Sequence, residues 1–175
     1  AEQFVRDVRI AMIYEGTNGI QAMDLVGRKL TRNQGAYVKR FVGQARADLD
    51  DSHDEDDGAA LRSFREALER ELTRLERVSE RLIESASVDP AAAGAAAHDY
   101  LHLLGYTAYA WMWWKAARAA RQGMVEGGKS GEAFYRAKLV VGQYFLERQL
   151  PRSEALERQI GAGPRGLMAL DPDLF

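Results

Sequence analysis

At 175 residues with 46% hydrophobic side chains, the chain is long enough for one domain with a real core, or a compact domain plus an appendage. A net charge of −2 gives no bulk electrostatic reason to expect nucleic acid or an anionic membrane as partner. Cysteine is absent, which excludes disulfides and thiolate chemistry, disfavours a structural zinc site and fits a cytoplasmic protein.

The pattern is helical nearly throughout. The four prolines, Pro90, Pro151, Pro164 and Pro172, fall at segment edges or in the tail, and no run alternates like a strand. Segment one, Glu2 to Met12, has an apolar face of Phe4, Val5 and Val8. Its charges at Glu2, Arg6, Asp7 and Arg9 rule out a signal-peptide core, and the start reads as mid-helix. After the break Glu15-Gly16-Thr17-Asn18-Gly19, segment two is predicted from Asn18 to Asp48, with Ile20, Met23, Leu30, Val38 and Phe41 at helical spacing. The acidic run Asp48 to Gly58 reads as a solvated loop from its density of like charge, and its residues miss calcium-loop spacing.

Segment three, Ala59 to Ala86, places Leu61, Leu68, Leu75 and Leu82 seven residues apart, a bundle seam. Its Arg- and Glu-rich remainder reads as exposed helix charge, each pair contributing ~0.2–0.5 kcal/mol. Asp89 as cap and Pro90 in the first turn start segment four, which reaches Met124. Leu101, Leu104, Ala108 and Trp111 are expected to face inward. Lys115 and Arg118 interrupt its apolar stretch, so it reads as a buried helix rather than a membrane span. Segment five, Glu132 to Gln149, is expected to turn Phe134, Ala137, Val141 and Phe145 inward. Pro151 stops it, and a short helix follows through Ile160. Short loops favour antiparallel neighbours. The expected fold is all-α: an up-and-down bundle of four long helices, with a short N-terminal helix at one end.

Three motifs invite chemistry and are better read structurally. Gly123 to Ser130 matches the phosphate-loop pattern G-x4-G-K-S, but a helix precedes it where a strand is required. His98 and His102 stand four apart without a third metal ligand in the pattern. Trp111, Trp113, Trp114, Tyr106 and Tyr109 read as core and interface, pointing around more than one helix face.

The informative stretch is Arg6-Asp7, Ile10, Ile13-Tyr14-Glu15-Gly16-Thr17-Asn18-Gly19 and Ile20-Gln21. Asn18 and Gln21 have capping-box spacing, with Asn18 as cap. The helix that follows would present free N–H groups and a positive dipole end, a ready place for phosphate. Glu15 sits just before it. On the residues alone, an inter-helix turn with an exposed glutamate is the favoured reading, because capped helix breaks occur in every helical protein.

This string resembles the RDxxI…IYEGTxxIQ motif of acyl-CoA dehydrogenases. The resemblance implies that Glu15 is the catalytic base that removes the α-proton of an acyl-CoA. It also implies that Gly16 lies against the substrate and that Thr17, Asn18, Gly19 and Gln21 contact FAD, which takes up the hydride. Residues 1–46 would then end the catalytic helical domain, whose short first helix belongs to it. Residues 47–175 would form the C-terminal helical extension of a longer subgroup, to which the aromatic run Thr107 to Ala117 is similar. The expected partners are an acyl-CoA substrate, the N-terminal and β domains of the same chain, and an electron-transferring flavoprotein; homo-dimers or tetramers are expected, with no nucleic acid and no membrane. A fragment without the other domains is expected to hold no FAD tightly and to be inactive. The abundance of arginine and alanine points to a GC-rich bacterial source. The contrasting reading, from another class, is a non-catalytic helical module for oligomerisation; several hundred upstream residues of flavoprotein would separate the two.

Overall fold

The computed structural model describes residues 2–13, 17–51, 59–167 and 169–174. Among them there is no strand. The helices are α1 (Glu2–Val8), α2 (Asn18–Asp24), α3 (Ala36–Asp50), α4 (Ala59–Val88), α5 (Pro90–Val125), α6 (Glu132–Arg148) and α7 (Arg152–Ala162). A 3₁₀ turn (Arg9–Met12) extends α1, and a π-helical stretch (Leu25–Leu30) extends α2. The all-α bundle expected from the sequence is present.

α5 is the central rod. It packs against α4, α6, α7 and the α2 segment. The leucine seam of α4 closes on it as expected: Leu61, Leu68, Leu75 and Leu82 are all buried, with Phe64, Leu72 and Val78 beside them. Asp89 caps α5 by accepting the Ala91 N–H at 2.9 Å, with Pro90 in the first turn. Inside the α4–α5 contact, the Ser79 hydroxyl donates to the Leu75 carbonyl at 2.6 Å, leaving the Tyr100 hydroxyl to donate to Ser79 at 2.6 Å. Burial pushes the Tyr100 phenol up to about 12. The acid Asp48 ties α3 to α5, accepting from Trp111 Nε1 at 2.9 Å and from Lys115 Nζ at 3.0 Å. The Lys115 bond is the main reason its carboxyl lies below the usual range.

Three expectations need correction. Segment two is not continuous. It breaks at a 3₁₀ turn (Arg32–Gly35), where Gln34 and Gly35 both have positive φ, 52° and 77°. Two successive left-handed residues cannot continue a right-handed helix.

The innermost face of α5 is also displaced from the expected one. Tyr100, Leu103, Thr107, Ala110, Trp114 and Ala117 are buried, whereas Leu101, Leu104, Ala108 and Trp111 are half-buried against α2 and α3. The rotation is one residue, about 100°. A helix covered on several sides has apolar residues all round, so period alone does not identify the tightest face.

On α6 the deepest residue is Gly142, while Phe134 and Val141 are exposed. A Cβ at Gly142 would lie 2.6 Å from Phe64 Cε1 and 3.0 Å from Trp113 Cε3. The missing side chain is what lets α6 reach the core. Gly142→Ala gains about 0.5–1 kcal/mol of helix propensity, but it wedges a methyl against a buried ring, which costs about 1–3 kcal/mol. A net loss of stability is expected in denaturant titration; an unchanged midpoint would show that Phe64 can yield.

Candidate functional site

In sequence, Glu15 falls between α1 and α2. α1 continues into the 3₁₀ turn, and the Ile13 N–H closes that turn on the Ile10 carbonyl at 3.0 Å. Tyr14, Glu15 and Gly16 lie outside the described residues, so the expected base and substrate-contact positions carry no geometry. Thr17, Asn18, Gly19 and Gln21 are described. All four are exposed and share the first turn of α2.

The cap differs from expectation. Thr17 takes the N-cap position and Asn18 is the first helical residue, with no side-chain hydrogen bond closing the end. The Thr17 carbonyl accepts the Gln21 N–H at 2.9 Å, which starts the helical ladder one residue earlier than a capping box on Asn18 would. Thr and Asn are both favoured cap residues, so adjacent candidates leave the register open in sequence.

The resulting helix start suits an anion. No acidic residue stands in its first turn, and among the described residues no neighbouring side chain comes within 4 Å of the place where a Cβ on Gly19 would sit. The first N–H groups of a helix have no intrahelical acceptor. On either side of this helix start in sequence, large apolar side chains are exposed. Phe4, Val8, Met12, Ile13 and Ile20 are exposed, Met12 to 81%, and α1 has no buried residue.

Other sequence candidates resolve structurally. The phosphate-loop look-alike joins α5 to α6, and its cradle is filled by the chain's own Tyr135: a Cβ at Gly123 would lie 2.5 Å from the Tyr135 Cζ. The His98 and His102 rings meet edge-on at 4.5 Å. Among the described residues no group of three or more metal-ligating side chains occurs. Trp114 is buried, with the Arg65 and Arg118 guanidinium groups 5.9 and 5.8 Å from its ring, while Trp111 packs edge-on against Phe41 at 5.3 Å. No described helix is long and apolar enough to cross a membrane.

Two features escaped sequence reading. Glu71 is only 4% exposed and bonds to Arg74, whose Nε reaches Glu157 at 3.0 Å and whose Nη1 reaches Ser153 at 3.0 Å. Arg77 Nη2 also holds Glu157, at 2.6 Å. This network bolts α7 to α4. Burial pushes the Glu71 carboxyl up; for Glu157 the pull of Arg77 and Arg74 outweighs burial and brings it down. The second feature is a cavity between the α2 segment, α3 and α5.

A family model described as acetyl-CoA dehydrogenase C-terminal like matches residues 38–171. Over 158 residues the chain is 32% identical to 3-methylmercaptopropionyl-CoA dehydrogenase of Ruegeria pomeroyi, covering 90% of this chain and 26% of the relative. Over 181 residues it is 26% identical to the broad-specificity linear acyl-CoA dehydrogenase FadE5 of Mycobacterium tuberculosis, covering 99% of this chain and 29% of the relative. The chain thus spans between a quarter and a third of the length of these relatives. With most of its bundle inside the matched range, the chain belongs to the acetyl-CoA dehydrogenase C-terminal-like family.

Proposed function

We propose that this chain is the C-terminal part of an FAD-dependent acyl-CoA dehydrogenase, with Glu15 as the base for α,β-dehydrogenation of an acyl-CoA thioester. One juxtaposition carries the reading: the Tyr14-Glu15-Gly16-Thr17 sequence leads directly into an exposed, acid-free helix start that no side chain caps. Residues 1–46 complete the catalytic helical domain, and residues 47–175 form the extension.

In this reading the Glu15 carboxylate takes the α-proton. Gly16 lets the acyl thioester approach the backbone closely. Thr17, Asn18 and Gly19 would hold the phosphate-bearing side of FAD through unpaired N–H groups and the helix dipole, with Gln21 one turn on as a further contact. When bound, FAD accepts the hydride leaving the β-carbon. The exposed apolar side chains of α1 and its 3₁₀ turn are where the chain's other domains would close the pocket and exclude water. Without them, the fragment turns nothing over. Similarity to two relatives named as acyl-CoA dehydrogenases supports an acyl-CoA thioester as substrate, and electron transfer to a flavoprotein and homo-oligomeric assembly belong to the same proposal.

The test is anaerobic addition of acyl-CoA to the full-length protein that contains this chain. Bleaching of the flavin's visible band, with an equivalent of enoyl-CoA formed, is expected for a linear or methylthio-acyl-CoA. A flavin that stays oxidised with every acyl-CoA tried would end the proposal.

A further inference from the structure

The cavity between the α2 segment, α3 and α5 encloses about 660 Å³, within the ~300–1,000 Å³ range of small-molecule sites. Its floor is apolar, formed by Leu25, Phe41, Leu104 and Ala108. Its rim carries Arg28, Lys29 and Arg32, with Tyr37 alongside, and no carboxylate lines it. By contrast, the cavity along α4 mixes its arginines with Asp50, Glu66 and Glu69.

The rim cations are arranged by backbone geometry. Residues 25–30 are π-helical, a form that recurs at functional sites. Asp24 receives Arg28 Nε at 2.6 Å and Lys29 Nζ at 3.1 Å, so two successive cations are gathered by one acid. The wider π turn brings the residue five positions on, here Lys29, back over Asp24. Arg32, in the next turn, has no ion pair among the described residues. The mouth keeps an excess of positive charge above an apolar floor.

We infer that this cavity binds an amphiphilic carboxylate, its apolar chain lying over Phe41, Leu104 and Ala108 and its head held by Arg32 with Arg28 and Lys29. A guanidinium pairs a carboxylate through two parallel N–H donors, while the apolar floor rejects a fully hydrated anion. The inference does not depend on the proposed dehydrogenation.

The test is calorimetric titration of the 175-residue chain with dodecanoate and with dodecan-1-ol. Dodecanoate should bind one to one and at least about tenfold more tightly than the alcohol. Arg32→Glu alters only the exposed rim and should weaken dodecanoate by at least about tenfold, leaving the alcohol little changed. Ala108→Phe should fill the floor and remove both, with circular dichroism confirming an intact bundle. Equal affinity for acid and alcohol overturns the inference, as does an Arg32→Glu variant that binds dodecanoate normally, which keeps the test decisive even if the Ala108 variant does not fold. Sedimentation with phosphatidylglycerol vesicles in the absence of dodecanoate binding also overturns it, since the rim would then be a lipid-surface contact.

Discussion

Replacing Glu15 by glutamine in the full-length protein is expected to lower turnover of acyl-CoA by about 10²–10⁴-fold or more while flavin content stays unchanged. The exchange preserves shape and hydrogen-bonding reach but removes the only group proposed to accept the α-proton. It leaves Thr17, Asn18 and Gly19 untouched, so FAD retention separates loss of chemistry from loss of the site. Glutamine should still allow acyl-CoA to bind, so substrate affinity changes far less than turnover, as for a group that acts mainly in the transition state. Solvent exchange of the α-hydrogen of bound acyl-CoA, followed by mass spectrometry, should fall along with turnover. Near-normal turnover in the variant would remove Glu15 from the mechanism while leaving the family assignment intact.

The second large effect concerns stability. Arg74→Ala is expected to destabilise the bundle by about 3–5 kcal/mol, the usual result of stripping the partner from a buried charge. Glu71 has Arg74 as its guanidinium partner, and its Oε2 already lacks a hydrogen bond. Arg74 in turn is held by Glu157 and Ser153, so its loss also loosens α7. Burial raises the folded pKa of Glu71 above its ordinary 4.5. The folded state therefore holds that proton more tightly than the unfolded one. Stability from this group is fully present below about 4.5 and is lost as pH rises through the raised folded value. Without Arg74 the carboxyl should rise further, so the variant's deficit at pH 7 should shrink on mild acidification. Glu157 works in the opposite sense: its lowered value supports the fold above 4.5 and is lost as pH falls through the folded value. Urea titrations at several pH values check both signs. Glu71→Met combined with Arg74→Met should recover much of the loss, because the pair is costly to split and far less costly to replace. A full-sized deficit at every pH, unrelieved in the double variant, would mean that Arg74 acts through packing alone.

What the sequence made legible was local. The seven-residue leucine spacing of α4, the Asp89-Pro90 start of α5 and the glycine-rich joint before α6 are each decided by neighbours along the chain. The structure follows them to within a few residues. Where partners meet across the bundle, reading failed for physical reasons. Gly142 is the deepest residue of α6 because Phe64 and Trp113 occupy the space a side chain would need, and no hydrophobicity pattern marks a glycine as central. Glu71 reads as one more surface charge among the glutamates of α4, until Arg74 and α7 cover it. The cationic mouth depends on a π turn and a double break at Gln34-Gly35, neither of which the helical period reveals. Of the candidate site, Thr17, Asn18, Gly19 and Gln21 come together on one exposed turn. The roles proposed for them, and for Glu15 and Gly16, rest on the motif's resemblance.

The bolt between α4 and α7 also sets an order of events during synthesis. Arg77 precedes its carboxylate partner Glu157 by 80 positions. At roughly 5–20 residues per second, a ribosome needs several seconds to deliver the second half of that pair. Throughout that interval the nascent bundle has an open side where α7 will dock, with Arg74 and Glu71 facing solvent or a chaperone. Closure of this side therefore waits for α7, and damage to Arg152–Ala162 would be felt in the middle of α4.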